Sequence, residues 1–198
     1  MKCKTEVNRY EYADPIINKT ISFRPVSFEK DVNTLHSWMH KEHVIPFWQL
    51  NISIEMYRLH LQKFLKDNHQ TLWIGEIDGV PMSYWESYWV KDDIIGRYYD
   101  YGEHDQGIHL LIGPDNYLGK GYIYPLLLTM LFKQFQVKET DRIVAEPDCG
   151  NEKMIHVFKK CGFKAVKEVT LPDKTGLLMI CERKTFESRW TDWQNNQF

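Results

Sequence analysis

The sequence has no long apolar segment and no excess of charge of one sign. No run of about 18 apolar residues occurs, so no membrane-spanning helix is expected. The stretch from Met1 to Asn18 is polar and charged and lacks the apolar centre of a signal peptide. The formal net charge is -2, with no long basic segment, which gives no reason to expect a nucleic-acid partner. We therefore expect a cytoplasmic protein that binds neither membranes nor nucleic acid.

Cysteine pairs and linker-like composition are also missing. The four cysteines show neither a Cys-x-x-Cys pair nor metal-ligand spacing, so free thiols are expected. No metal site is predicted, because no Cys or carboxylate motif accompanies the histidines at helical spacing, His36, His40 and His43. No Pro/Gly/Ser-rich stretch divides the 198 residues. We predict a single domain over residues 1–198, with an N-terminal extension at 1–19 and a C-terminal tail at 186–198.

Hydrophobic periodicity predicts a mixed α/β fold. Residues 20–26 alternate as a strand, and two segments with helical spacing follow them. Residues 72–90 return to strand-like alternation around Asp78-Gly79, a pair typical of tight hairpins. Residues 91–105 are charged and rich in tyrosine and are predicted to form a loop. With the elements that follow, the predicted order is β-α-α-β-β-β-α-β-α-β-β.

The most informative segment is an apolar strand that runs into a glycine turn. Residues 107–113 are apolar except for His109, residues 119–121 read Gly-Lys-Gly, and an apolar helix is predicted from 122 to about 135. Glycines allow a sharp turn and close approach of a ligand, and the free amides at a helix start favour an anion. The turn is therefore a candidate phosphate site, although a lone Gly-x-Gly is weak evidence and fits neither the P-loop nor the dinucleotide fingerprint.

This turn resembles the pyrophosphate loop of the GCN5-related N-acetyltransferases, the GNAT superfamily. Asn116 stands where that family usually has Gln or Arg, which is a departure. A second block, from Ala145 to Phe163, is similar to the family segment in which an Asn follows a strand and a helix closes in Gly-Phe. The resemblance implies the GNAT fold, a central mixed sheet flanked by helices, and acetyl-CoA as acyl donor. The positions expected to contact this donor are Leu111, Ile112, Asn116, Gly119, Lys120, Gly121, Asn151 and Phe158.

Aromatic-rich motifs make the resemblance narrower. They occur in the order found in the siderophore-building acyltransferases that acylate N-hydroxylysine or related hydroxylated amines. The motifs are Phe47-Trp48, Ile77 to Pro81, Tyr84 to Trp89, Gly107 to Gly113 and Glu146 to Asp148. The resemblance implies direct acyl transfer to a small amine or hydroxylamine, with His109 and Asp148 as catalytic residues. Trp48 and Glu86 are further candidates for contact with that acceptor.

Two alternatives stay open. Aminoglycoside N-acetyltransferases share the strand, the Gly-x-Gly turn and the Asp-bearing segment. The tyrosine that protonates the departing thiolate in the family is Phe158 here. This leaves the general acid unassigned and keeps open a catalytically silent module that binds acyl-CoA.

The chemistry of acyl transfer requires a proton acceptor. The nitrogen that attacks a thioester must lose a proton, so a basic group within hydrogen-bond reach is needed. His109 titrates near neutral pH and can serve, with Asp148 orienting the imidazole or taking the proton itself. A backbone N–H near Leu111 or Ile112 would hold the developing oxyanion. Otherwise, His109 is a core histidine bonded to a backbone carbonyl, and Asp148 is a turn residue after Pro147.

Overall fold

The computed structural model describes residues 9–198. Cys3 and residues 1–8 of the predicted N-terminal extension lie outside the described residues. The strands are β1 Tyr10–Asp14, β2 Lys19–Pro25, β3 Gln70–Ile77, β4 Val80–Trp89, β5 Gln106–Ile112, β6 Arg142–Ala145, β7 Lys164–Thr170 and β8 Thr175–Glu182. The helices are α1 Phe28–Met39, α2 Ile45–Trp48, α3 Ile54–Lys66, α4 Ile123–Gln134, α5 Glu152–Lys160 and α6 Arg183–Gln194. Short 3₁₀ turns occur at Val90–Asp92, Ile94–Arg97 and Asp115–Tyr117.

The strands form one mixed sheet in the order β1-β2-β3-β4-β5-β6-β8-β7. Every neighbouring pair is antiparallel except β5 and β6, which run parallel. These two strands pair only at Gln106 with Ile143 and at Gly107 with Val144. Beyond Gly107 they separate, so a gap opens in the middle of the sheet along the rest of β5. The central mixed sheet flanked by helices that the resemblance implied is confirmed.

Alternating side chains of the central strands β4 and β5 pack into a hydrophobic core on each face of the sheet. Tyr84 and Leu111 face α1 and α3 and pack with Leu35 and Leu61. On the other face, Trp85 packs against the apolar helix α4, in a core that also includes α6. A strand that is buried on both faces is apolar on both sides, as β4 and β5 are. A polar side chain on either strand therefore stands out, and Glu86 and His109 lie on the face covered by α1 and α3 with their neighbours Tyr84 and Leu111.

Apart from the short helix α2, the predicted order of elements agrees with the structure between β2 and β8. The Asp78-Gly79 turn has φ values of +50° and +76°, as a type I′ hairpin requires. Residues 91–105 contain two 3₁₀ turns within the predicted loop. Cys149, Cys161 and Cys181 are free thiols, as expected. Within residues 9–198, no helix is both long and apolar enough to cross a lipid bilayer.

The two predicted ends of the domain need correction. The extension at 1–19 contains β1, which pairs along its whole length with β2. The tail at 186–198 is mostly helix α6, whose buried side chains are Phe186, Trp190 and Trp193. Their spacing of four and three residues is a helical signal, but the polar residues between them give a weak amphipathic pattern. The short helix α2 was also missed, because four residues show no period.

Candidate active site

A pocket of about 350 Å³ opens beside the centre of the sheet. Its walls come from α2, α3 and α5, the middle of β4 and β5, the segment after β6 and the turn between β7 and β8. The sheet brings together residues that are far apart in sequence. The predicted site residues that line this pocket are Trp48, Glu86, His109, Asp148, Asn151 and Phe158.

His109 lies between two carboxylates. Glu86 is its direct partner in the β4–β5 register, and His109 Nδ1 lies 2.9 Å from Glu86 Oε2. The other ring nitrogen, Nε2, is bonded to Glu146 Oε1. The Glu86 and Glu146 side chains are nearly buried, at 7% and 5% exposed, whereas His109 keeps 29% of its side chain exposed. We refer to Glu86, His109 and Glu146 as the clamp.

Two tyrosines complete the hydrogen bonds of the clamp. Tyr84 Oη donates to Glu86 Oε1 at 2.8 Å, and Tyr88 Oη donates to Glu146 Oε2 at 2.9 Å. Both tyrosines alternate with Glu86 along β4 and share its face of the sheet. Each carboxylate oxygen of the clamp therefore has a donor, which offsets the unfavourable burial of two charges.

The clamp sets the charge of His109. Burial lowers the pKa of His109, but the carboxylates of Glu146 and Glu86 outweigh burial and raise it to about 10. Burial raises the pKa of Glu146, but the attraction of His109 and its hydrogen bond, together with Lys174 and Tyr88, lower it to about 2. At neutral pH the ring is an imidazolium that donates from both nitrogens. It has no free lone pair, so the predicted role of His109 as a base near neutral pH is corrected.

Asp148 does not orient the imidazole, because Glu86 and Glu146 occupy both ring nitrogens. Its Oδ1 accepts a hydrogen bond from the Gly150 amide at 2.7 Å, and its backbone bridges to Gly176. These are contacts of a turn residue, although the side chain also lines the pocket. The sequence reasoning missed Glu146, which lies two residues away in the same Glu-Pro-Asp motif. Its position at the end of β6 was the available signal.

The gap between β5 and β6 exposes backbone groups of β5. The Gly113 amide donates to Met82 on β4 at 2.9 Å, so with the alternation of a strand the Leu111 amide also faces β4. The backbones of Leu110 and Ile112 face the gap, and the Ile112 carbonyl accepts a hydrogen bond from His43. The prediction that the Leu111 amide donates to a ligand in the gap is therefore corrected, because this amide points toward β4. The backbone groups of Leu110 and Ile112 point into the gap.

The glycine turn lies between β5 and α4, at the end toward which the gap opens. Gly119 and Gly121 have φ values of +71° and +77°, a conformation that side chains disfavour. Tyr122, which precedes α4, makes no side-chain capping hydrogen bond. The Tyr124 amide donates to the Gly121 carbonyl at 3.2 Å, and Pro125 has no amide, so the Ile123 amide is the group at this helix start that remains for an anion. Asn116 and Lys120 are exposed beside the turn. None of these four residues lines the pocket that contains His109.

Asn151 and Phe158 join α5 to the pocket. Asn151 caps this helix through Oδ1, which accepts from the Met154 amide at 3.2 Å. Phe158 is 3% exposed and its ring lies 4.8 Å from that of Phe163. The position where the resemblance implied a tyrosine hydroxyl is thus filled by a buried hydrocarbon ring. On the opposite wall, the Trp48 ring lies 5.5 Å from that of Tyr84.

Comparison with known families decides the class of the protein. A profile described as an acetyltransferase (GNAT) domain matches residues 27–171. The chain belongs to the GNAT acetyltransferase family. The mixed sheet that separates between β5 and β6 and the glycine turn before α4 are thus parts of a GNAT acetyltransferase.

Curated relatives of this GNAT acetyltransferase include two bacterial enzymes. N-hydroxyputrescine acetyltransferase of Acinetobacter baumannii is 32% identical over 183 residues, which are 90% of this chain and 85% of that protein. N(6)-hydroxylysine O-acetyltransferase of Escherichia coli is 30% identical over 178 residues, 89% of this chain but 56% of that protein. The chain therefore spans about half the length of the second relative.

Solved structures agree on the fold. An uncharacterized protein from Bacillus halodurans is 64% identical with a TM-score of 0.95, and the match covers 96% of this chain and 98% of that chain. The aminoglycoside acetyltransferase AAC(6')-Ib in complex with coenzyme A has a TM-score of 0.77 at 24% identity, over 85% of this chain and 98% of that chain. At that identity the second likeness shows a shared fold and no more.

Proposed function

We propose that this GNAT acetyltransferase transfers an acetyl group from acetyl-CoA directly to the nitrogen of a short hydroxylated amine. Such acceptors include N-hydroxylysine and N-hydroxylated diamines, the precursors of hydroxamate siderophores. The observation that carries the proposal is the small acidic pocket around the clamp, beside the gap between β5 and β6. The named activities of the Acinetobacter and Escherichia relatives support the acceptor class.

The gap and the glycine turn fit an acyl-CoA donor. Leu110 and Ile112 present backbone groups to the gap, where a pantetheine arm would extend the sheet. The left-handed Gly119 and Gly121, and a start of α4 that has no side-chain cap, suit a pyrophosphate. Asn151 and Phe158 would flank the arm near the pocket. The bound donor supplies an electrophilic thioester carbonyl, and the chain supplies the positioning and the proton transfer.

The pocket fits a short, cationic or neutral amine. Its titratable lining consists of the acids Glu86, Glu146, Asp148 and Asp173 and the basic groups His60, His109 and Lys174. A net acidic lining favours an acceptor with a remaining ammonium group. A volume of about 350 Å³ is at the lower end of the range for small-molecule sites, which favours a short aliphatic chain over a multi-ring aminoglycoside.

A hydroxylated amine also suits the chemistry of the clamp. Alkyl ammonium groups hold their proton up to a pKa of about 10.4, whereas a hydroxylamine is far less basic and is neutral at pH 7. The enzyme therefore needs to remove only the proton that becomes acidic during attack. His109 stays charged in the clamp and holds Glu86 and Glu146 in place at the side of the pocket.

An acceptor screen tests the proposal. Thiol release from acetyl-CoA should be measured with N-hydroxylated amines, the parent amines and aminoglycosides, with the products identified by mass spectrometry. We expect each hydroxylated amine to react faster than its parent, since a pocket built around the added hydroxyl can discriminate strongly. Faster turnover of an aminoglycoside would favour the aminoglycoside alternative. Acetyl-CoA binding with no turnover of any acceptor would favour the silent module suggested by Phe158.

A further inference from the structure

The pocket contains a second histidine that the clamp does not engage. His60 lies on α3 and lines the same pocket as Glu86 and His109. Its ring stacks between two aromatic rings, with centroids 6.0 Å from Tyr57 and 4.2 Å from Phe64. Residues three and four positions apart share a helix face, so these rings set the orientation of the imidazole.

The nitrogens of His60 are free to meet a ligand. Within residues 9–198, the histidines whose ring nitrogens form hydrogen bonds are His36, His40, His43, His69 and His109. His60 is not among them, although it is held between two rings at a pocket wall. An imidazole that is fixed in place but has no partner is available to a substrate.

His60 and His109 differ in protonation state at neutral pH. Burial lowers the pKa of His60, the Glu86 carboxylate partly offsets this effect, and Lys63 adds to the lowering. Tyr57 stacks on His60, and Lys63 acts on it from the same helix. The other titratable groups around the pocket are Glu86, His109, Glu146, Asp148, Asp173 and Lys174. At pH 7 His60 is therefore a neutral imidazole with a lone pair, within a pocket whose other histidine is charged.

We infer that His60 accepts the proton that the acceptor nitrogen loses during acyl transfer. This inference rests on the proposed function. The nitrogen lone pair forms the new C–N bond, the N–H proton passes to His60, and the C–S bond breaks with its electron pair leaving on sulfur. The thiolate takes a proton from solvent and His60 returns its own, so the overall reaction is balanced without a tyrosine at position 158.

The other groups of the pocket are less suited to this step. His109 donates from both nitrogens and has no lone pair to offer. Each oxygen of Glu86 and Glu146 already accepts a hydrogen bond from a tyrosine or from His109. Asp148 has one oxygen engaged by the Gly150 amide, so its other oxygen and the carboxylate of Asp173, which also lines the pocket, are the remaining rivals.

Two variants of His60 test the inference against a structural role. His60→Phe keeps an aromatic ring between Tyr57 and Phe64 but removes the nitrogens, and His60→Gln keeps a hydrogen-bonding group that does not titrate. We expect both to lower kcat by about 10²–10⁴-fold, with the KM for acetyl-CoA and the melting temperature unchanged in His60→Phe. His104→Gln makes the same chemical change at an exposed histidine and should leave kcat unchanged.

The pH dependence of the rate distinguishes proton transfer to His60 from proton transfer to His109 of the clamp. If His60 takes the proton, the wild-type rate rises as the pH passes the pKa of His60, which lies below 6.5, and is level at higher pH. This rising limb of the pH–rate profile should disappear in His60→Phe. With a base role for His109, the rate would instead keep rising toward pH 10. A limb that persists in folded His60→Phe, or a kcat within about twofold of wild type, overturns the inference.

The variants should be assayed with whichever acceptor class the wild type acetylates. Faster turnover of an unhydroxylated amine or an aminoglycoside than of every hydroxylated amine would reject the proposed function, and the effect of His60→Phe would still decide the inference. An NMR titration of the free protein, with the His60 signal assigned by its absence in His60→Phe, requires no turnover. A His60 signal that shows a charged ring at pH 7 contradicts the inference, and one that shows a neutral ring at pH 7 supports it.

Discussion

The imidazolium of His109 connects β4, β5 and the end of β6 through two buried carboxylates. A buried charge is tolerated only when it is paired and hydrogen-bonded, and each charge of the clamp meets this condition. The stability that the clamp contributes depends on pH because folding shifts the pKa of its members. His109 has a raised pKa, so its contribution is complete below 6.5 and is lost as pH rises through about 10. Glu146 has a lowered pKa, so its contribution is complete above 4.5 and is lost as pH falls through about 2.

The first prediction at this scale concerns Glu146→Gln. The difference in unfolding free energy between wild type and this variant should be largest between pH 4.5 and 6.5 and should shrink toward pH 10 and toward pH 2. The pKa of His109, followed by NMR, should also fall, because the strongest raising charge is gone. Denaturant unfolding across pH checks the first point, with the exposed Glu139→Gln as control. An unfolding difference that does not vary with pH would argue against an ionised clamp.

Single residues also show where sequence reasoning reaches its limit. The position of His109 and the inward direction of Glu86 follow from strand alternation, which is local. The charge of His109 depends on Glu146, which is 37 positions away and reaches the ring only because β5 and β6 are parallel neighbours. His60 lies on a helix with ordinary amphipathic spacing, and the loss of water around its ring comes from tertiary packing. Neither effect has a local sequence signal.

At the scale of elements, the glycine turn and the start of α4, which has no side-chain cap, form the candidate anion site. The sequence predicted this site because glycine spacing and an apolar helix are local signals. Which amides of β5 face the gap could be determined only from the pairing of β5 with β4. That pairing replaces Leu111 by Leu110 as a residue whose backbone faces the gap. The structure also offers a matched control for the turn. Gly79 and Gly121 have φ values of +76° and +77°, and at both an added Cβ would meet nothing within 4 Å.

We predict that Gly121→Val weakens acetyl-CoA binding at least tenfold, or by about 1.4 kcal/mol, because the side chain blocks close approach of the pyrophosphate to the backbone. Gly79→Val imposes the same backbone strain in the β3–β4 hairpin, so it should lower the melting temperature similarly and leave acetyl-CoA affinity unchanged. Lys120→Ala should have a smaller effect than Gly121→Val, since its exposed charge is screened. Calorimetry that finds equal affinity in Gly121→Val and Gly79→Val would remove the turn from the donor site.

At the scale of the whole molecule, the two ends of the described chain meet on the sheet face opposite the clamp. Trp193 Nε1 of α6 donates to Asp14 Oδ2 at the end of β1 at 2.8 Å. The same carboxylate accepts the amides of Ile16 and Ile17 through Oδ1 and is 2% exposed. Because 179 positions separate the two residues, no pattern in the sequence indicates the contact. The contact holds α6 against β1. From the sequence, β1 was assigned to an N-terminal extension and most of α6 to a C-terminal tail.

We predict that Trp193→Phe destabilises the protein by about 1–3 kcal/mol, because it leaves a buried carboxylate oxygen of Asp14 without a donor. For a chain of this size, each 1 kcal/mol corresponds to a fall of about 2–4 °C in the melting temperature.

Trp190→Phe is the matched control, since Trp190 is equally exposed, at 8%, and packs on Phe132 through its ring. Both variants lose similar packing, so the excess loss in Trp193→Phe measures the hydrogen bond. In an Asp14→Ala background that excess should disappear, and kcat should stay unchanged in every variant because Asp14, Trp190 and Trp193 do not line the pocket. Equal destabilisation by the two tryptophan variants in the wild-type background would show that the contact contributes nothing and that α6 is held by its apolar face alone.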